Sequence, residues 1–140
     1  MKSYRICING LPSLMGGGQT YMVELLRHLS RLDSSNVYTV IVPALRQGLL
    51  PELSPNFRIL PVPDLAARAG FRVLYEQFVL PWVLLRGRHD LLYSPGGTDP
   101  LWKPCRSVLC VQSTLALNHP SYSPTFWRYF SRHWGLTETG

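Results

Sequence analysis

The sequence predicts an α/β fold in which a mostly parallel sheet is flanked by helices. Three observations carry this expectation. Short β-prone runs alternate with longer segments whose apolar residues recur at helical spacing. The elements follow the order β-α-β-β-α-β-β-α, which suits a parallel sheet covered on both sides. The first and fifth strand runs are apolar enough to be buried on both faces.

The first strand is YRICIN, Tyr4 to Asn9, bounded by Gly10 and Pro12. From Gln19 to Leu32 the apolar positions Met22, Leu25, Leu26, Leu29 and Leu32 mark a helix with one buried face. Glu24, Arg27, His28 and Arg31 take its other side, and the turn-prone run from Asp33 to Asn36 stops it. VYTVIVP, Val37 to Pro43, is a second strand. FRILPVP, Phe57 to Pro63, is a short third strand, and Pro61 suits only an edge or a strand end. Phe71, Leu74, Phe78, Trp82 and Leu85 form a second helical stripe, which Pro81 should kink or divide. DLLYS, Asp90 to Ser94, is a fourth strand ending in the turn Pro95-Gly96-Gly97. SVLCVQ, Ser107 to Gln112, is expected to be a buried fifth strand. Ser123 caps a last helix that begins at Pro124 and carries Phe126, Trp127, Phe130 and Trp134.

The chain has 140 residues, 46% of them hydrophobic, which suits a single domain with a real core. Its formal net charge of +6 favours anionic partners without choosing among phosphates, acidic sugars, nucleic acid and membrane surfaces. The basic residues are spread along the chain and no nucleic-acid-binding signature accompanies them, so nucleic acid is not the expected partner. Cys7, Cys105 and Cys110 have no metal spacing, and their odd number argues against a disulfide framework. Cys7 and Cys110 sit in apolar runs and read as buried small hydrophobes, and a reducing, cytoplasmic setting fits them. The N-terminus is too short in its apolar part for a signal peptide. The stretch from Phe71 to Leu85 is broken by Glu76, Gln77 and Pro81 and falls short of a membrane span.

Gly16, Gly17 and Gly18 stand between the first strand and the first helix. Three consecutive glycines are entropically costly to order. Ligands of parallel sheets collect beyond the carboxyl ends of the strands. A helix start there offers unpaired N–H groups and partial positive charge. Glycine lets a phosphate or sugar approach that backbone closely, so the stretch reads as an anion or sugar cradle, with a ligand-free flexible turn as the alternative. It matches neither the dinucleotide fingerprint, since Gly16, Gly18 and Tyr21 give G-x-G-x-x-Y, nor a P-loop.

The order of GGG, QTYMVELLRHL, YEQFVLPWVLLRGRHDLLYSPGG and RSVLCVQSTLALNHPSYSPTFWRYFSR resembles the N-terminal half of the retaining glycosyltransferases of family 4. The resemblance covers roughly Tyr4 to Arg132, and the order of its loose motifs carries it. It implies a Rossmann-like domain, the acceptor-side half of a GT-B fold. In that fold the active site lies between two such domains, and the second holds the nucleotide-sugar donor. The intact enzyme would move a sugar to a hydroxyl or lipid-linked acceptor with retention, without a metal or other cofactor. The E-x7-E motif and the basic residues that grip the donor diphosphate belong to the second domain. GLTETG departs from the continuation of the first, which implies a truncated, inactive fragment spanning residues 1–140. A non-catalytic α/β module binding a phosphate, glycan or protein is the alternative.

The expected substrate-binding residues are Gly16, Gly17, Gly18, Gln112, Ser113 and His119; none is expected to be catalytic. Gln112-Ser113 stands where many relatives have His-Asp. Gln112 can donate to and accept from sugar hydroxyls but cannot act as a general base. His119 precedes Pro120 in a polar loop and reads more readily as a loop anchor than as a catalyst. Glu76, among apolar residues, is expected to cap a helix or form a salt bridge, and Asp90 and Asp99 read as isolated. The helix 124–134 is aromatic on one face and basic on the other. It suits either packing on the sheet or peripheral contact with an anionic membrane, at its inner face.

Overall fold

Strand β1 (Arg5–Asn9) is an alternating ribbon whose successive side chains enter opposite faces of the sheet. In the computed structural model, which describes residues 2–13 and 17–112, it is the central strand. Helix α1 (Gly17–Leu32) follows, then β2 (Val37–Pro43) and β3 (Phe57–Val62). A continuous helical segment comes next: α2 (Ala69–Leu74), a π turn (Tyr75–Val79) and α3 (Leu80–Arg86). Strands β4 (Leu91–Ser94) and β5 (Arg106–Leu109) complete the described elements. The strand order is β3-β2-β1-β4-β5, and every pairing is parallel. This is the expected α/β, Rossmann-like sheet flanked by helices. The chain divides into two compact units, Met1–Cys110 and Val111–Gly140, and the helix expected at 124–134 lies outside the described residues.

The two-residue period of the strands sorts the core into two layers. On one face Ile8, Tyr38, Val40 and Val42 pack with Met22 and Leu26 of α1. On the other Cys7, Ile41 and Leu92 pack with Leu80 and Leu84 of α3. Burial pushes the Cys7 thiol up to about 12, which leaves it an inert small hydrophobe. Cys110, expected to be buried, is half-buried. The stripe read for α1 holds at Met22 and Leu26, which are fully buried, but ends before Leu32, which is exposed. Beyond Leu32 the chain turns on Asp33. Its carboxylate accepts hydrogen bonds from Tyr38 Oη (2.5 Å), Asn36 Nδ2 (2.7 Å) and the Ser35 N–H (2.9 Å). These donors hold its pKa well below the usual carboxylate range.

Two prolines act as the pattern predicts, and in two elements packing overrides it. Pro61 is tolerated because β3 is an edge of the sheet among the described residues, as expected. Pro81 divides its helix, also as expected, and the division is a π turn. Pro81 has no N–H to offer the preceding turn, and the Leu80 N–H bonds to the Tyr75 carbonyl instead. The apolar stripe Phe71, Leu74, Phe78, Trp82 and Leu85 faces outward, while Glu76, Leu80 and Leu84 turn to the core. The fifth strand corrects the expectation of a strand buried on both faces. It runs only from Arg106 to Leu109 and pairs with β4 alone, so it is an edge among the described residues. Val108 and Leu109 are 48% and 46% exposed. A continuous apolar run does not distinguish a central strand from an edge, because neighbours decide burial.

His89 ties the end of α3 to the sheet. Its Nε2 lies 3.1 Å from Thr39 Oγ1 and its Nδ1 3.4 Å from the Leu84 carbonyl. Burial lowers its pKa below the usual 6.5, with the nearby Arg5 charge adding to the shift. An unfolded chain therefore binds this proton more readily than the folded one, and stability falls as pH drops below about 6.5. The urea midpoint should decrease from about pH 7.5 to about pH 5.5, and the His89→Gln variant should show a shallower decrease. Equal slopes in the two proteins would remove His89 from the acid response.

Candidate functional site

The chain leaves β1 toward β2 on one side, whereas β4 pairs on the other. The order therefore reverses between β1 and β4, and a crevice opens beyond their carboxyl ends. Two loops meet there. After β1 the chain makes a 3-10 turn (Leu11–Ser13), secured by the Gly10 N–H to the Ile41 carbonyl at 2.9 Å. After β4 it turns at Pro95-Gly96-Gly97, with Gly97 at φ +79°. A Cβ on Gly96 would lie 2.0 Å from Pro12 Cγ, so the two loops abut only because Gly96 has no side chain. A Cβ on Gly18 would lie 3.1 Å from the Ser13 carbonyl oxygen, so the first turn of α1 also closes on Ser13. Ser13 is thus enclosed and 2% exposed, and its Oγ has no hydrogen-bond partner among the described residues.

Behind this wall lies a buried polar set. Asn9 shares the face of β1 that carries Cys7, the face covered by the helical segment 69–86. Its Nδ2 donates to Glu76 Oε1 at 2.9 Å, and its Oδ1 accepts from the Leu11 N–H at 3.3 Å. The two bonds together fix the amide orientation. Glu76 is 1% exposed. Thr98 Oγ1 also donates to its Oε1, at 3.1 Å. Glu76 was expected to cap a helix or pair with a base. It does neither among the described residues, because the π turn aims it at the strand end, where an amide and a hydroxyl meet it.

Asp99 is likewise not isolated. Its carboxylate accepts from Ser94 Oγ (2.8 Å), Ser107 Oγ (2.8 Å) and Lys103 Nζ (2.5 Å). Asp90 Oδ2 accepts from the Arg5 N–H at 2.8 Å, joining the starts of β1 and β4. On the α1 side, Tyr21 and Tyr93 hydroxyls meet at 2.5 Å and hold the start of α1 to β4. Burial and this contact raise the Tyr93 pKa, so its phenol stays protonated.

Gly17 and Gly18 open α1 at this edge of the sheet, as expected. Gln112 is exposed and belongs to the second compact unit. Gly16, Ser113 and His119 lie outside the described residues. Reading by motif passed over Asn9, Ser13, Ser94 and Thr98. The available signal was a pair of polar residues, Asn9 and Glu76, each standing in an apolar pattern. A buried carboxylate needs donors, and a strand-end amide on the facing side supplies one.

At this edge the helix start supplies N–H groups that sugar hydroxyls and anions accept from, while the buried carboxylate and amide fix the loops beside it. Among the described residues no group of three His, Cys, Asp or Glu side chains is placed to hold a metal ion. A cavity of about 190 Å³ adjoins the crevice, lined by Pro12, Arg46, Asp64 and Arg72. The larger recess of about 790 Å³ lies at the opposite edge, near Tyr4, Asp90 and Arg106, where strands begin and helix starts do not point. Comparisons with protein families, with curated proteins and with solved structures find no match to this chain.

Proposed function

We propose that this chain is the acceptor-side module of a retaining glycosyltransferase, one that moves a sugar from a nucleotide-sugar to a hydroxyl or lipid-linked acceptor in the cytoplasm. The observation that carries the reading is the buried Asn9–Glu76–Thr98 set beside the start of α1, at the point where the strand order reverses. The ordered motifs that resemble family 4 add the reaction class. In this reading the buried Asn9–Glu76–Thr98 set holds the loops after β1 and β4 in register for an acceptor hydroxyl, and the α1 start faces the anionic side of the substrate. Preorganised groups of this kind lower a barrier by positioning, while the leaving diphosphate is gripped by groups on a donor domain.

The test is titration with simple hexosides followed by amide NMR, alongside calorimetry with UDP- and GDP-sugars. Hexosides should shift the signals of Asn9, Gly18, Gly96 and Thr98. Nucleotide-sugars should bind this chain no more tightly than about millimolar, or about −4 kcal/mol. An isolated helix start contributes only about 0.3–1 kcal/mol. Shifts confined to other parts of the sheet would overturn the reading. The alternative, a non-catalytic module, is favoured by the buried Ser13 Oγ, which has no hydrogen-bond partner among the described residues, beside a helix start. Micromolar binding of a phosphate or glycan without turnover would select it.

A further inference from the structure

The helical segment 69–86 carries an apolar face that stays exposed among the described residues. Phe71, Leu74, Phe78, Trp82 and Leu85 recur at helical spacing and are all exposed, Phe78 by 68% and Trp82 by 62%. The surface extends past the helix. Gln77 Oε1 accepts from the Leu101 N–H at 2.9 Å, and this holds a loop bearing exposed Leu101 and Trp102 against the π turn. Contiguous exposed apolar surface of this kind marks an interaction site.

The charges around it identify the partner. Exposed Arg68 lies at one end of the segment, and exposed Arg86 and Arg88 at the other. Between Ala66 and His89 the sole acidic residue is Glu76, and it is buried. An aromatic apolar face between arginine-bearing ends matches the boundary between lipid headgroups and acyl chains. We propose that this face docks on an anionic lipid bilayer, with Phe78 and Trp82 entering the boundary and the terminal arginines meeting lipid phosphates. No helix among the described residues is long and apolar enough to cross a membrane, so the segment lies along the surface. A second copy of the chain is a poorer occupant. Two such faces would bring arginines against arginines, with no exposed carboxylate on the segment to meet them. The docking element differs from the aromatic, basic helix that the sequence suggested for membrane contact.

The experiment is co-sedimentation of the full chain with phosphatidylcholine vesicles, with and without phosphatidylglycerol. Binding should require phosphatidylglycerol and weaken as salt is raised. The Phe78→Ser/Trp82→Ser double variant should bind at least about tenfold less. Arg86→Gln should bind about fivefold less at low salt. These side chains are exposed, and circular dichroism with urea unfolding verifies that each variant keeps its fold. Failure to bind the anionic vesicles would overturn the proposal. So would undiminished binding by the double variant, which would move the contact elsewhere in the chain. A dimer in sedimentation equilibrium that the double variant abolishes, without vesicle binding, would assign the face to a second copy instead.

Discussion

Asn9→Leu should lower the stability of the protein by about 2–3 kcal/mol, the cost of taking one of two hydrogen-bond donors from a buried acceptor. Asn9 Nδ2 is the amide that meets Glu76 Oε1 at 2.9 Å, and Glu76 is 1% exposed, so water cannot simply take its place. The loss should be specific to the pair. Asn9→Leu with Glu76→Met removes both partners, and replacing both with apolar groups of similar size is far cheaper than removing one. The double variant should recover most of the loss, giving a coupling of about 1–2 kcal/mol in a double-mutant cycle. Urea unfolding of the four proteins measures it. Additive effects would mean that Asn9 and Glu76 act independently. Both Asn9 variants should also lose the hexoside-induced shifts at Thr98, because the acceptor register depends on the pair.

Gly10→Ala should cost about 2–3 kcal/mol, through a backbone clash. A Cβ at this position would sit 2.5 Å from the Ile41 carbonyl oxygen, the same atom that accepts the Gly10 N–H at 2.9 Å. The conflict cannot be relieved by a rotamer change, because the obstacle is main chain and is held in the parallel ladder of β1 and β2. Relief requires the end of β1 to move, and with it the turn that carries Ser13. Gly70→Ala is the matched contrast. It lies in α2 with nothing within 4 Å of the added methyl group, and should stabilise by about 0.5–1 kcal/mol. Thermal and urea unfolding of the two variants should therefore move in opposite directions. A Gly10→Ala protein as stable as the parent would show that the strand end yields easily.

The α/β class was legible because strand and helix periods differ and both survive in the sequence. The alternation that puts Cys7 and Ile8 on opposite faces predicts helices on both sides, and α1 and α3 occupy those sides. Pro61 signalled an edge and Pro81 signalled a break for the same reason: each lacks an N–H that a regular element needs. The glycines marked the start of α1 correctly, at Gly17 and Gly18. The candidate site was less legible. Asn9 and Glu76 are separated by α1, β2 and β3, and no local pattern ties an amide at one strand end to a carboxylate in a later helix. Asp99 looked isolated because its partners, Ser94, Lys103 and Ser107, come from a strand end, a loop and the next strand.

The outward face of the segment 69–86 was illegible for a different reason. Apolar residues occur on two sides of it, and spacing alone favours the stripe with the larger side chains. The π turn and Pro81 set the rotation that sends Leu80 and Leu84 inward and leaves Phe78 and Trp82 outside. By itself, then, the sequence determined what short-range physics controls: which runs form strands, where helices begin and stop, and which face of β1 meets which layer. Only the tertiary structure decided the strand order, the edge position of β5 among the described residues, the rotation of the divided helix and the meeting of Asn9 with Glu76. Those features depend on which surfaces are covered and by what. Burial is a property of neighbours distant in the chain, and a residue's local pattern carries no record of them.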